Sequence, residues 1–485
     1  MSANLRDKLI HLTYGPAIAI AKPAILSLLS SIEVGTLILI DDHHRERHVF
    51  GRPLESPDLD KNTASVPNGN SRSFADGHAN PAVTLTVTSP NFYLRLLLLA
   101  DMGFAESYLL REVVCSDLTA FFRLFILNRA RLNNGSTRPS SPLLSTALSL
   151  LLLLLGCSSG ITGRTMTTRA RSNTAETALL NASAHYDLGN ALFAAFLSAD
   201  MTYSCPVWAP LPRRSNSEET LEAAQFRKIH RVIASARIKR GDHVLEIGTG
   251  WGSFAIEAVK TTGCRVTTAT LSREQKAWVE ERVRREGLGD KVDVLLLDYR
   301  AIPAVPGGYD KIVSIEMVEA VGKEHLGAYF GVVHRLLKRE GGIAVLQCIT
   351  MPEGRQAAYE EREDFINRYI FPGGYLPSIT QLLDHITAES NGTLIVESVA
   401  NIGGHYARTL RLWRERFLAN YDAKIRQVLA AKHPDTREEE LDVFRRKWEY
   451  YFSYCEAGFL TKTLGDVIIT VGREGAMELM EDIPL

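Results

Sequence analysis

The chain has 485 residues, 45% hydrophobic and 23% charged, with a formal net charge of −1. That length allows two or three domains with sizeable cores. A charge this close to neutral creates no global field, so no nucleic-acid partner is expected and any membrane contact must come from a local patch.

The six cysteines, Cys115, Cys157, Cys205, Cys264, Cys348 and Cys455, are scattered without CxxC or zinc spacing. They read as free thiols in a reducing, cytoplasmic compartment, with no metal site. Met1 to Ile32 is mildly apolar but carries Pro16 and Pro23 and lacks a strongly basic start, so it is not read as a signal peptide. Glu33 to Ile40 and His48 to Gly51 predict two short strands. The turn between them holds Asp41, Asp42, His43, His44, Glu46 and His48. These residues sit together in one turn with no second segment converging on them, which favours a solvated hairpin tip over a metal site.

Arg52 to Asn80 is rich in Pro, Asn, Ser, Gly and Asp and predicts a surface insertion or disordered loop. Ala82 to Thr88 alternates with period two, a strand pattern, and Asn91 to Asn128 reads as helical and apolar. After a polar linker, Arg129 to Ser141, comes Leu143 to Leu155, nearly all leucine and bounded by Pro142 and Gly156. A membrane span needs about 20 apolar residues. This shorter run predicts a helix buried in the protein or lying against lipid. Gly160 to Thr174 is basic and Ser/Thr-rich. We place a boundary after Ala175, between an N-terminal domain over 1–175 and a second domain over 176–485.

The second domain alternates strands and helices, which predicts an α/β fold with a largely parallel sheet covered on both faces. The strands are His243 to Ile247, Arg265 to Thr270, Val292 to Leu297, Lys311 to Ile315, Ile343 to Ile349 and Asp466 to Val471. Helices are expected over Ser253 to Thr261, Arg273 to Arg285 and Lys323 to Lys338.

The first strand runs into Glu246-Ile247-Gly248-Thr249-Gly250-Trp251-Gly252. Glycines there let a ligand approach the main chain, and the helix that follows aims its free N–H groups at it. The spacing is GxGxG, not the longer dinucleotide form. The stretch resembles motif I of the class I methyltransferases. That likeness implies a Rossmann-like fold binding S-adenosylmethionine across the carboxyl ends of the strands. Thr270, Leu271, Ser272 and Gln275 close the second strand and open a helix, where a hydroxyl and an amide suit a ribose. Asp298 and Tyr299 follow the third strand and suit an adenine edge. Each alone also reads as a helix cap or surface turn.

Further segments carry a closer resemblance. They are Ser183 to Asn190 with Met201 to Cys205, Glu316 to Gly322, Tyr369 to Ser378, Gly404 to Leu410 and Lys447 to Cys455. Together they resemble the cyclopropane-fatty-acyl-phospholipid synthases and mycolic acid cyclopropane synthases, in their eukaryotic, plant-like branch. The likeness covers the chain from Ser183 onward and, less specifically, Glu33 to Asn128 as the family's smaller N-terminal α+β domain.

What the resemblance implies is methylation of the cis double bond of a phospholipid acyl chain, ending in a cyclopropane. An alkene is a poor nucleophile, so the reacting groups must be held in line and water kept out. Aromatic faces can steady the resulting cation, and a base must then remove a proton. Tyr186, Tyr203, Tyr375, Tyr406, Trp448, Tyr450 and Tyr451 are aromatic candidates, though core packing explains any one of them. In the family the base is a bound bicarbonate. By resemblance its holders here are Cys205 and Ile349 through their main chains, Glu319 and Tyr406, while Tyr203 and Ser204 fall at the cofactor. For Glu319 a structural salt bridge is the alternative. Cys455 falls on a family cysteine sometimes assigned as catalytic, but the chemistry needs no covalent step and a core thiol accounts for it equally.

Two departures from bacterial members stand out. Glu319-Ala320 replaces Glu-His, and Gln347 replaces a strand-five histidine. Gln347 can donate to an anion but cannot titrate. Met351 to Pro377 is expected to form a lid. The N-terminal domain and leucine run are expected to touch the membrane peripherally, and the resemblance allows a homodimer. Methyl-branching lipid enzymes and plant alkaloid N-methyltransferases are the neighbouring alternatives. The N-terminal lipid-type domain and the pair Glu319 with Tyr406 favour a lipid. From a different class, a lipid-binding protein that has kept the fold without activity is argued against by the intact glycine turn, Gln275, Glu319, Tyr406 and Cys205.

Overall fold

The computed structural model describes residues 17–52, 80–136, 189–210, 219–481 and 483–484. The leucine run, the Ser/Thr-rich stretch before 175, the insertion over 53–79 and the family segment up to Leu188 lie outside the described residues. By internal packing the chain forms two units, 1–186 with 435–457, and 187–434 with 458–485.

In the first unit, a helix over 17–29 precedes a four-stranded sheet. Its strands are β1 (Thr36–Asp41), β2 (Glu46–Gly51), β3 (Ala82–Val87) and β4 (Val113–Cys115), in the order β2-β1-β3-β4. Alternation fixes the register, because Leu37, Leu39, Val83, Leu85 and Val87 are all buried. The histidine-bearing turn is tied by Asp41, which accepts from Lys22 Nζ at 2.7 Å, Tyr93 OH at 2.9 Å and the His44 amide at 3.0 Å. Burial alone would raise the Asp41 carboxyl, but the bonds from Lys22 and His44 hold it well below the usual range.

The helical stretch expected from Asn91 to Asn128 is built as two helices, Asn91–Leu109 and Leu118–Ser136, with β4 between them. The break falls at Arg111, whose φ of 59° is left-handed. Glu112 beside it is pulled inward to Arg95 (3.0 Å) and Ser107 Oγ (2.8 Å). Residues 435–457 complete this unit's core: Tyr450 packs edge-on to Phe122 (centroids 5.0 Å apart), and Arg446 Nε donates to Tyr108 O at 2.6 Å.

The second unit holds a seven-stranded sheet. Its strands are β5 (His243–Ile247), β6 (Arg265–Thr270), β7 (Val292–Leu296), β8 (Lys311–Ile315), β9 (Ile343–Thr350), β10 (Ile395–Asn401) and β11 (Gly465–Gly472), in the order β10-β11-β9-β8-β5-β6-β7. Strands β5 to β9 pair in parallel, and β11 runs antiparallel to both β9 and β10. Strand order reverses between β5 and β8, and the crevice at such a switch point, outside the carboxyl ends, is where ligands bind in open α/β sheets.

One face of the sheet buries Leu245, Ile312, Leu346 and Ile469 in one cluster with Tyr329, Phe330 and Leu336 of the helix Leu326–Leu336 and Leu382 and Ile386 of the helix Ile379–Glu389. The latter helix starts with a capping box between Ser378 and Gln381. The edge strand β10 escaped the sequence reading. Its Ile395 is 50% exposed, and Val396 and Val399 are exposed too, so no period-two burial pattern marks it. Among the described residues, no helix is long and apolar enough to cross a membrane.

Candidate active site

Glycines shape the turn that leaves β5. Gly248, Gly250 and Gly252 have φ of 102°, 51° and 83°, all left-handed and tolerated there without a Cβ. Their surroundings differ. A Cβ on Gly252 would lie 2.7 Å from Val279 of the helix Arg273–Arg285, so that glycine permits close packing. A Cβ on Gly248 would press on Met317 at 3.0 Å, whereas one on Gly250 would meet nothing within 4 Å. Gly250 therefore faces open space, as a backbone that receives a ligand must.

Three strand ends meet at this turn. The amides of Gly248 and Thr249 both donate to Ala269 O at 3.1 Å, and Leu297 N donates to Thr270 O at 3.1 Å. This brings Glu246, Thr270, Leu271, Ser272, Gln275, Asp298 and Tyr299 to one edge of the sheet. Glu246 is 3% exposed and accepts from Thr268 Oγ1 at 2.6 Å; burial pushes its carboxyl up to about 8. Ser272 caps the following helix through the Gln275 amide (3.1 Å). Thr270 Oγ1 donates to Gln275 Oε1 at 2.7 Å, a bond that orients the Gln275 amide and leaves its N–H groups to offer to a ligand. Leu271 is 72% exposed, an apolar side chain held out beside the turn. Asp298 caps its own turn and pairs with Arg300, whose bond holds its carboxyl below the usual range. The Tyr299 hydroxyl is buried without a partner. The glycine turn and these edges fit S-adenosylmethionine: Gly250 and Leu271 leave the space, and Tyr299 offers a donor.

A second cluster lies at the ends of β8, β9 and β11. Glu316 follows β8 directly, with a φ of 47°. That conformation disfavours a residue bearing a Cβ by about 1–2 kcal/mol, and residues so held concentrate at functional sites. Its Oε1 accepts from the Cys205 amide and from Gln347 Nε2, each at 2.7 Å, and its Oε2 accepts from Tyr406 OH at 2.7 Å. Gln347 Nε2 also reaches Asp466 Oδ2 at 3.1 Å. Glu319 accepts from the Ile349 amide at 2.5 Å, and its second oxygen is buried without a partner. Burial first, and the nearby Glu316 charge second, push Glu319 up to about 8 and Asp466 well above its usual range. Glu319 is thereby favoured in the neutral form at pH 7, and Asp466 is moved in the same direction. Lys228, fully buried on the helix Leu221–Ser235, donates to Ser204 Oγ, and burial lowers its pKa while Glu316 and Asp466 draw it back up.

Sequence reading named Cys205, Gln347, Ile349, Glu319 and Tyr406, and the structure brings all five into this cluster. The Cys205 and Ile349 amides and Tyr406, expected with Glu319 to hold a bicarbonate, each donate to a carboxylate of the chain itself, Glu316 or Glu319, as does Gln347, so these donors are already engaged. Ser204 is 3% exposed, and its hydroxyl turns inward to accept from Lys228. Cys455 belongs to the first unit's segment 435–457, as do Trp448, Tyr450 and Tyr451. The Cys205 thiol is fully buried and pushed far up by burial, so it is no nucleophile.

Aromatic rings flank the carboxylates. Tyr203 lies 5.1 Å from Trp413 and 5.3 Å from Phe193 between centroids, and Tyr406 lies 5.8 Å from Trp413 and 4.7 Å from Phe459. Three residues of the cluster escaped the sequence reading: Glu316, Asp466 and Lys228. A signal existed for each. Glu316 and Glu319 both follow the apolar strand β8, Asp466 opens the otherwise apolar β11, and Lys228 sits on the buried stripe of its helix with Ala224 and Val232.

Residues 173–468 match the family described as mycolic acid cyclopropane synthetase. The tuberculostearic acid methyltransferase UfaA1 of Mycobacterium tuberculosis is 44% identical over 296 residues, 61% of this chain; the chain spans 65% of that relative's length. The cyclopropane-fatty-acyl-phospholipid synthase of Escherichia coli K12 is 31% identical over 397 residues, 81% of this chain and 90% of that protein. Among solved structures, mycolic acid cyclopropane synthase CmaA1 complexed with SAH and CTAB matches with a TM-score of 0.50 and 28% identity, over 61% of this chain and 98% of that one. By its family match, its class I S-adenosylmethionine-dependent methyltransferase fold and its glycine turn, the chain belongs to the mycolic acid cyclopropane synthetase family.

Proposed function

We propose that the chain transfers the methyl of S-adenosylmethionine to the cis double bond of an unsaturated phospholipid acyl chain and closes it to a cyclopropane. One observation carries this reading: a carboxylate cluster and an aromatic wall stand together beside the glycine turn. When bound there, S-adenosylmethionine supplies an electrophilic methyl. Methyl addition to an alkene leaves a cation on the neighbouring acyl carbon, and the faces of Tyr203, Trp413 and Tyr406 attract positive charge. Loss of a proton from the added methyl then lets its C–H electron pair close the ring, a step that requires a positioned base.

The Escherichia coli relative, named for a phospholipid substrate, supports a membrane lipid as the source of the acyl chain. In this reading Met351 to Pro377, with its helices Glu353–Glu360 and Phe365–Tyr369, forms the lid. Phe371 is 42% exposed and its ring lies 6.5 Å from that of Tyr203, a position suited to an acyl chain's edge. Residues 1–175 serve as the part that associates peripherally with the membrane.

A second reading has a specific basis. The 44% identical relative is named a tuberculostearic acid methyltransferase. A hydride shift before the same proton loss would give a methylene branch instead of a ring. Mass spectrometry of total fatty acids separates the two, comparing cells expressing the wild-type chain with cells expressing Glu319→Gln. A one-carbon gain on monounsaturated chains that resists hydrogenation, and is lost in the variant, supports the cyclopropane. A gain that remains sensitive to hydrogenation supports the branch. No lipid change while S-adenosylmethionine still binds would overturn both readings in favour of a small-molecule acceptor.

A further inference from the structure

We infer that the Glu316 carboxylate is itself the base of the reaction, built into the chain at the place where an external anion would otherwise be held. This inference rests on the acyl-chain reading above and names the residue that performs its last step.

Four elements meet on this side chain: the segment ending in Cys205, the end of β8, Gln347 on β9 and the helix Gly404–Asn420 that carries Tyr406. Three of them deliver donors to its two oxygens at 2.7 Å. A carboxylate serving only to satisfy a buried amide would not need three donors from segments so distant in sequence. The set orients both oxygens and fixes the plane of the group.

Position is the second point. Glu316 is half-buried, whereas Asp466 is fully buried and the second oxygen of Glu319 is closed off. Glu316 is the one of the three carboxyls with hydrogen-bond donors on both of its oxygens from three separate segments. The next residue, Met317, packs against Gly248 of the cofactor turn, so the carboxylate stands between that turn and Tyr406. A left-handed backbone at a non-glycine residue is retained here, although glycine would relieve it.

The neighbours also divide the roles. Burial moves Glu319 and Asp466 towards their neutral forms. Lys228 lies close enough for its charge to couple to Glu316. The step balances without another reactant. The added methyl loses a proton to Glu316, its C–H pair becomes the new ring bond, and the acyl cation is discharged. Glu316 then releases the proton to solvent as product leaves.

The test uses the purified full chain with monounsaturated phospholipid vesicles and S-adenosylmethionine, in carbonate-free buffer and again with added bicarbonate. Turnover of the wild type is expected to be the same in both. Glu316→Gln is expected to lose about 100-fold or more in turnover, the range in which general bases act, while binding S-adenosylmethionine as before. Glu316→Gly opens the space and suits the backbone, so bicarbonate is expected to restore part of its activity. A second readout needs no turnover: ¹³C-labelled bicarbonate followed by NMR should bind Glu316→Gly and not the wild type. Equal binding to both, wild-type turnover that depends on bicarbonate, or full activity in Glu316→Gln would each overturn the inference. If the wild type makes no lipid product in either buffer, the acyl-chain reading fails, and the bicarbonate titration still decides whether Glu316 holds the anion's place.

Discussion

Tyr406 donates its hydroxyl to Glu316 Oε2 at 2.7 Å although the two residues are 90 positions apart. The tyrosine is 5% exposed and packs against Trp413 and Phe459, so its ring cannot swing away. It fixes one oxygen of the carboxylate while Cys205 and Gln347 fix the other. Tyr406→Phe keeps the packing and removes only the donor. A hydrogen bond to a charged group is worth about 1.5–3 kcal/mol, so kcat should fall roughly 10- to 100-fold. S-adenosylmethionine affinity, measured by calorimetry, should stay within about twofold. A matching loss of cofactor affinity would make Tyr406 a general structural residue instead.

The glycine turn separates a packing role from a binding role. Gly252→Ala would set a Cβ 2.7 Å from Val279 at a φ of 83°, so the helix Arg273–Arg285 must move. Overpacking of this kind destabilises by about 1–3 kcal/mol, and the thermal midpoint of the free protein should drop. Gly250→Ala meets no atom within 4 Å. Its stability should change by only about 1–2 kcal/mol, from backbone strain, while cofactor affinity falls at least about tenfold because the methyl occupies the ligand's space. If Gly250→Ala binds S-adenosylmethionine normally, the cofactor does not approach that turn.

What was legible in the sequence follows from how local each signal is. Strands β5, β8 and β11 are short, mostly apolar runs bounded by turn residues, and β5 runs into glycines whose conformational demand is written in their type. Edge strand β10 has no such signature, because one face of an edge can stay wet. The helix break at Arg111 depends on Arg95 drawing Glu112 inward, a contact no periodicity reports. The cluster splits the same way. Cys205, Gln347, Ile349, Glu319 and Tyr406 came from family resemblance. Glu316, Asp466 and Lys228 become a site only when β8, β11 and the helix Leu221–Ser235 are folded together. A resemblance assigns roles to matching positions and says nothing about a carboxylate such as Glu316, to which the Cys205 amide, Gln347 and Tyr406 donate.

Lys228 offers a stability test of that cluster. Its ammonium is fully buried, close enough to couple to Glu316 and Asp466, and donates to Ser204. Lys228→Met keeps the length and removes the charge. Breaking a buried charge arrangement from one side typically destabilises by about 3–5 kcal/mol, because the remaining carboxylate loses its compensation. Urea unfolding should show a clear drop in midpoint, and Lys228→Met with Glu316→Gln should recover part of it. Simple additivity of the two substitutions would mean that the lysine and the carboxylate do not interact.

Glu246 predicts how stability depends on pH. Burial raises its carboxyl from an ordinary 4.5 to about 8. Between those values the folded protein keeps a proton that the unfolded chain has released, so rising pH favours unfolding. The contribution is fully present below about pH 4.5, is lost progressively up to about 8 and then levels off, with a slope of roughly 1.4 kcal/mol per pH unit. Glu319, raised in the same direction, adds to the decline. Glutamine at position 246 can still accept from Thr268 through its amide oxygen but has no proton to lose. Urea midpoints of the wild type and Glu246→Gln, taken without cofactor from about pH 5 to 8, should therefore converge on the variant's favour as pH rises: the stability of Glu246→Gln relative to wild type increases with pH. A constant difference across that range would mean that Glu246 is ionised in the folded protein, with a charged partner that its bond from Thr268 does not supply.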